Sequence, residues 1–214
     1  NCSYGMGLIY TCIGQNQKAI EIYKHMKPIA KEIQDEEMIN FGNNLTGIAY
    51  FEGKQYDKAL KIFLALISYA DTRSSTDFRA WVYMNIGLTY YYKKEYNKSN
   101  EKFKIAYDIT NKLGMSNEAL WSLSWLILSG IKINKLDQSE NLNIIHEKID
   151  QSWLKDIDYP EVNYVLSKIY FELQNSIKSK LYLDNAYKKL IEISNTIKNK
   201  EYKHSFLRAR FHNE

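Results

Sequence analysis

Small and aromatic residues recur along this chain with a spacing of forty. Gly7, Gly47 and Gly87 align, and Tyr10, Tyr50 and Tyr90 stand three positions after them. Ala19, Ala59 and Ser99 come next in register, and Tyr23, Phe63 and Phe103 follow each by four. The segments read GLIYTCIGQNQKAIEIY, GIAYFEGKQYDKALKIF and GLTYYYKKEYNKSNEKF. Eighty residues beyond the third copy, Ser167, Tyr170, Ser179 and Leu183 fall in the same slots, and Ala186 matches Ala106. The copy between them is degenerate, with Ile127 in the small slot and Gly130 in the aromatic one, and Trp121 and Trp125 are expected to restore the lost packing. A fixed period of this length means one supersecondary unit stacked on copies of itself.

Only Pro28 and Pro160 interrupt the chain, and glycine totals 9, so the helices are expected to be long. The pattern predicts helix pairs over 2–14 with 17–34, 37–53 with 56–71, 76–93 with 96–113, 117–133 with 136–149, and 160–174 with 176–198. A last helix is predicted over 201–212. Gly114 reads as a helix stop, and Ser116 as a start with Glu118 in its first turn. Asp158 and Glu161 around Pro160 read as a capping box. The stretch 150–159 is the longest irregular connection and the expected place for a bend.

These slots resemble the tetratricopeptide repeat (TPR). That family places a small residue and then an aromatic in the first helix of a hairpin, and Ala followed by an aromatic in the second. The resemblance covers about 190 residues. It implies an all-α fold, a right-handed α-α superhelix of about five hairpins forming a single domain. The unit here departs from the usual length of about 34 residues, and the family's terminal Pro is missing from the first three copies. An open array of hairpins needs a terminal cap, and Tyr202, Phe206 and Leu207 of the final helix are expected to cover the last hairpin. The run EYKHSFLRARFHNE resembles the closing helix of repeat arrays in large bacterial signalling proteins. The opening Asn1-Cys-Ser-Tyr-Gly reads as the inside of a helix, which predicts a fragment of a larger protein.

Composition is that of a folded protein, 45% hydrophobic and 25% charged. The net charge of +4 falls entirely after residue 171, where 9 basic residues alternate with 5 acidic ones. Such alternation reads as a solvated helix face, so nucleic-acid binding is not expected. The most apolar run, 121–133, is broken by Gly130 and Lys132 and is too short to span a membrane. Cys2 and Cys12 share one predicted helix and have no metal or redox spacing, which fits a reducing, cytoplasmic setting.

No catalytic constellation is present. His25, His146, His204 and His212 are scattered and read as surface histidines. The pairs Glu36/Glu37 and Asp156/Asp158 read as helix-start charges. No enzyme activity, cofactor or metal is expected.

The resemblance implies that the first helix of each hairpin lines a concave ligand surface. There it places Asn44, Ile48, Phe51 and Glu52, then Trp81, Met84, Asn85, Leu88, Tyr91 and Tyr92. The fourth and fifth hairpins add Trp121, Ser124, Trp125 and Leu128, and Tyr164, Lys168 and Phe171. These aromatics either pack as core or grip the apolar side chains of a peptide in a sparsely charged groove. Asn44 and Asn85 would then bond the peptide backbone. On that reading, Tyr91→Ala and Trp125→Ala should weaken partner binding and leave helicity intact. The basic clamp of chaperone-binding relatives is missing. The expected function is a protein- or peptide-binding module of a bacterial regulatory or signalling protein. The alternative is the ligand domain of a peptide-pheromone receptor. A dimer through apolar surface at the first hairpin is compatible with the sequence.

Overall fold

The computed structural model describes residues 2–72, 77–134, 139–150 and 160–209. All the regular structure among them is helical: α1 Cys2–Cys12, α2 Asn16–Glu32, α3 Glu36–Glu52, α4 Tyr56–Thr72, α5 Asp77–Tyr92, α6 Tyr96–Lys112, α7 Ser116–Lys132, α8 Ser139–Asp150, α9 Pro160–Glu172, α10 Ser176–Thr196 and α11 Lys200–Ala209. The capping box at Asp158, the connection over 151–159, Asp156 and residues 210–212 of the expected last helix lie outside the described residues. So does the side chain of Cys2. The chain packs as two compact units: one is Asn1–Ser74 with Ser194–Glu214, the other Ser75–Ile193.

The first unit shows why small residues hold their slots. A Cβ on Gly47 would stand 2.5 Å from Phe63 Cε1, closer than carbon atoms can approach. Tyr23 crowds Gly7 in the same way. Tyr23, Phe63 and Ala59 are buried at 2%, 0% and 0%, so the ring of one helix lies against the bare backbone of its hairpin mate. Ile20 and Tyr23 also form a core cluster with Leu45 and Ala49, which joins α2 to α3. In the second unit a Cβ on Gly87 would stand 3.1 Å from the Phe103 ring, and a hydroxyl tightens the approach. Ser99 Oγ donates to Gly87 O at 2.8 Å, and Ser179 Oγ donates to Ser167 O at 3.0 Å.

The turns repeat as strictly as the core. Gly14, Gln34, Lys54, Lys94, Gly114, Asn134 and Gln174 all have positive φ, and successive members differ by twenty or forty positions. At Lys94 the amide donates to Tyr91 O and the next amide, Glu95, to Tyr90 O, both at 2.9 Å. These two bonds form a Schellman turn, which satisfies carbonyls that the helix end leaves free. The same pair closes α1, α2, α3, α6 and α9. Only two of the seven left-handed residues are glycine, so the other five carry a Cβ penalty.

The last helix packs within the first unit. Within the first unit, Tyr202 of α11 meets Tyr10 of α1 edge-on at 6.3 Å. Gln15 Nε2 donates to Ser205 Oγ at 3.1 Å. Lys18 places its ammonium 5.7 Å from the Tyr10 ring and 5.9 Å from the Tyr202 ring. That shared cation explains the docking site, because two electron-rich faces flank one charge. A hydrogen bond with Tyr10 also holds the Tyr202 phenol above its ordinary pKa. Asn199 caps α11 by accepting from Tyr202 N at 3.0 Å. Phe206 and Leu207 are half-buried.

Two stability outcomes follow from these contacts. Gly47→Ala should cost about 2–3 kcal/mol, and Gly87→Ala measurably less, because the Phe103 ring leaves more room. Lys94→Gly should gain about 1 kcal/mol and raise Tm by about 3 °C in thermal melts followed by circular dichroism.

Candidate protein-binding surface

The expected ligand-binding residues divide between the two units, and burial sorts them further. In the first unit Asn44 is 2% exposed and engaged within the protein, whereas Phe51 is half-buried. In the second unit Tyr91 and Trp125 are buried at 8% and 4%. Trp125 lies at the centre of an aromatic cluster. Tyr91 meets it edge-on at 4.9 Å, Phe103 stacks on it at 5.9 Å, and Trp121 tilts against it at 5.9 Å. These rings join α5, α6 and α7 into one core, and neither Tyr91 nor Trp125 offers a face to a ligand. The Trp125 indole N–H is buried and meets no hydrogen-bond acceptor among the described residues. The reading that Tyr91 and Trp125 grip a partner is therefore replaced: they hold consecutive hairpins together.

Trp81, Asn85, Leu88, Tyr92, Trp121, Tyr164 and Lys168 remain half-exposed on α5, α7 and α9. Their surface carries more charge than its aromatic composition suggests. Trp121 Nε1 donates to Glu161 Oε2 at 3.1 Å, and Lys132 pairs with Glu172 at 2.6 Å. Each contact joins residues forty apart, so equivalent slots of α7 and α9 face each other. Lys168 lies 4.7 Å from the centre of the Tyr164 ring. Phe171, at the end of α9, is 72% exposed.

Several structural residues escaped the reading of the sequence. Lys18, Lys58, Lys98 and Lys178 lie 5.7, 5.4, 5.3 and 4.9 Å from the rings of Tyr10, Tyr50, Tyr90 and Tyr170. The signal was present: each lysine follows its tyrosine by eight residues. Each pair clasps the turn of a hairpin through the attraction of a cation to a ring face. Glu95 adds a partner to Lys98 through a hydrogen bond and raises its pKa. Asn100 bridges hairpins, donating to Leu126 O at 2.8 Å and Ser129 Oγ at 3.1 Å. His146 is half-buried rather than superficial and hydrogen-bonds the Tyr170 hydroxyl.

Hairpins with glycine under an aromatic ring, linked by aromatics from one hairpin to the next, match known structures. The chain has a TPR-like all-α repeat fold. It is similar over 92% of its length to 96% of a Podosopora anserina protein assigned as a kinesin light chain, with nearly identical TPR-like repeats, at a TM-score of 0.63 and 14% identity. A Q17M form of that protein matches over 91% of this chain and 95% of its own, at a TM-score of 0.64 and 14% identity. No protein-family model matches the sequence, and no curated protein matches it at a significant level.

Among the described residues no helix is long and apolar enough to cross a membrane. No group of three or more His, Cys, Asp or Glu side chains is placed to hold a metal ion among them.

The burial of the aromatic cluster reverses one mutational expectation. Tyr91→Ala and Trp125→Ala should each cost about 3–5 kcal/mol, read as a lowered Tm and a lowered denaturant midpoint.

Proposed function

We propose that the chain is a protein- or peptide-binding module and that its partner lies along the half-exposed face of α5, α7 and α9. The observation that supports this reading is the alternation on that face of rings with polar groups. Trp121 stands beside Glu161, and Tyr164 beside Lys168. An apolar side chain of the partner would rest on the rings, and its charged or amide groups would meet Glu161 and Lys168. A regulatory or signalling protein is the setting we favour. The pheromone-receptor alternative is weaker, because it needs both asparagines to reach a peptide backbone, and Asn44 is 2% exposed while Asn85 alone is half-exposed.

Selection of a phage-displayed peptide library on the whole chain tests this reading. Selected peptides should bind the chain saturably by fluorescence anisotropy. Tyr164→Ala and Lys168→Glu should each weaken them about tenfold at unchanged helicity. Selected peptides that ignore both substitutions would place the binding surface elsewhere.

A further inference from the structure

The second helix of the last hairpin presents an apolar surface that its counterparts bury or lack. Leu183 occupies the slot of Tyr23, Phe63 and Phe103. Those three are 2%, 0% and 0% exposed, whereas Leu183 is 48% exposed. What covers that slot elsewhere is visible at Phe103, which is held between Gly87 of its own hairpin and Trp121 and Trp125 of the following helix, at 5.7 and 5.9 Å. Tyr187, one turn beyond Leu183, is 59% exposed. Ile177 and Leu181 extend the surface at 83% and 54% exposure. The slot of Ile177 holds Gln17, Asp57 and Asn97 in other hairpins, and that of Leu181 holds Glu21, Lys61 and Glu101. All six of those residues are polar and exposed. Apolar side chains in slots that other hairpins fill with polar ones give α10 a surface suited to being covered.

The final helix meets Tyr10, Gln15 and Lys18, and it meets α10 near its C-terminal end, where Lys203 Nζ donates to Asn195 Oδ1 at 2.8 Å, beyond Leu183 and Tyr187 in the chain. We infer that α10 docks an amphipathic, acidic helix of a partner protein, in the manner that α2 holds α3 and α6 holds α7. The chain itself supplies the template for that helix. Ile20 and Tyr23 on α2 pack against Leu45 and Ala49 of α3, whose sequence EEMINFGNNLTGIAYFE contains three glutamates and no basic residue. The slot of Ile20 and Asn100 is filled on α10 by Lys180, which is exposed. Asn100 reaches Leu126 O and Ser129 Oγ, in the C-terminal half of the helix it holds. An ammonium in that slot meets the carbonyl end of an incoming helix and any carboxylate there, both favourable to a cation. Lys188 is also exposed on α10, and with Asp184 exposed between the two lysines the stretch 180–188 keeps a net positive charge that favours an acidic partner. This surface is separate from the face of α5, α7 and α9, so the two assignments stand or fall independently.

The test uses the whole chain and a fluorescein-labelled peptide of residues 36–52, with binding read by anisotropy. The peptide should bind saturably, and Leu183→Glu and Lys180→Glu should each weaken it about tenfold. Tyr164→Ala and Lys104→Glu should leave its affinity unchanged. Leu183 and Lys180 are exposed, so helicity should be unaltered in both variants, and circular dichroism verifies this. Absence of saturable binding overturns the proposal, as does equal binding by Leu183→Glu or by a scrambled peptide. Loss of binding in Tyr164→Ala would move the peptide to the other face and also overturn it. Sedimentation of the unlabelled chain should show a monomer. A dimer that Leu183→Glu abolishes would assign the surface to a second copy instead.

Discussion

The structure depends on how closely two helices of one hairpin can approach. Where Gly47 faces Phe63, the ring occupies the volume that any side chain would need. The ring itself is fully buried, so it cannot swing away to make room. This contact fixes the spacing within a hairpin, and with it the position of the ring edge that meets the next one. Phe103 shows both roles at once, with Gly87 on one side and the indoles of α7 on the other. Hydroxyls at Ser99 and Ser179 add a hydrogen bond to the same approach. In a fold of nearest-neighbour contacts, a fault in one hairpin is felt chiefly by the two beside it.

The fourth hairpin shows how such a fault is accommodated. Ile127 occupies the small slot yet is fully buried. It fits because Asn143, an exposed residue, stands where the first three hairpins have a ring. Gly130 removes the tyrosine of the turn, and with it the ring that a lysine could clasp. The neighbours supply other bonds: Asn100 from α6, Glu161 and Glu172 from α9, and the hydrogen bond between His146 and Tyr170. Polar contacts between hairpins thus gather around the copy with the weakest internal packing.

Much of this fold is legible in the sequence because its determinants are local. Helix ends follow from twenty-residue turns, and Gly114 and Ser116 mark a boundary that the structure places at those residues. The slots of Gly, Tyr, Ala and Phe repeat too regularly to be missed. Exposure is less legible. Tyr91 and Tyr92 are adjacent aromatic residues on one helix, yet the first is buried and the second half-exposed. The difference comes from rings on other helices, since Tyr91 packs between Trp125 at 4.9 Å and Tyr96 at 5.3 Å while Tyr92 meets Trp125 at 6.2 Å. The placement of α11 was hidden for a related reason. It depends on Lys18 and Tyr10, nearly two hundred residues upstream, and no periodic pattern reports that distance.

The indole of Trp125 also has an optical consequence. All four tryptophans, at 81, 121, 125 and 153, belong to the unit spanning Ser75–Ile193. Trp125 sits among π-systems in a dry environment, where emission is blue-shifted and quenching by dissolved iodide is weak. Tryptophan emission, excited apart from that of the tyrosines, therefore watches one unit alone, while the far-ultraviolet signal of the helices sums both. Any divergence between those two signals during denaturation would time the loss of one unit against the other without any added label.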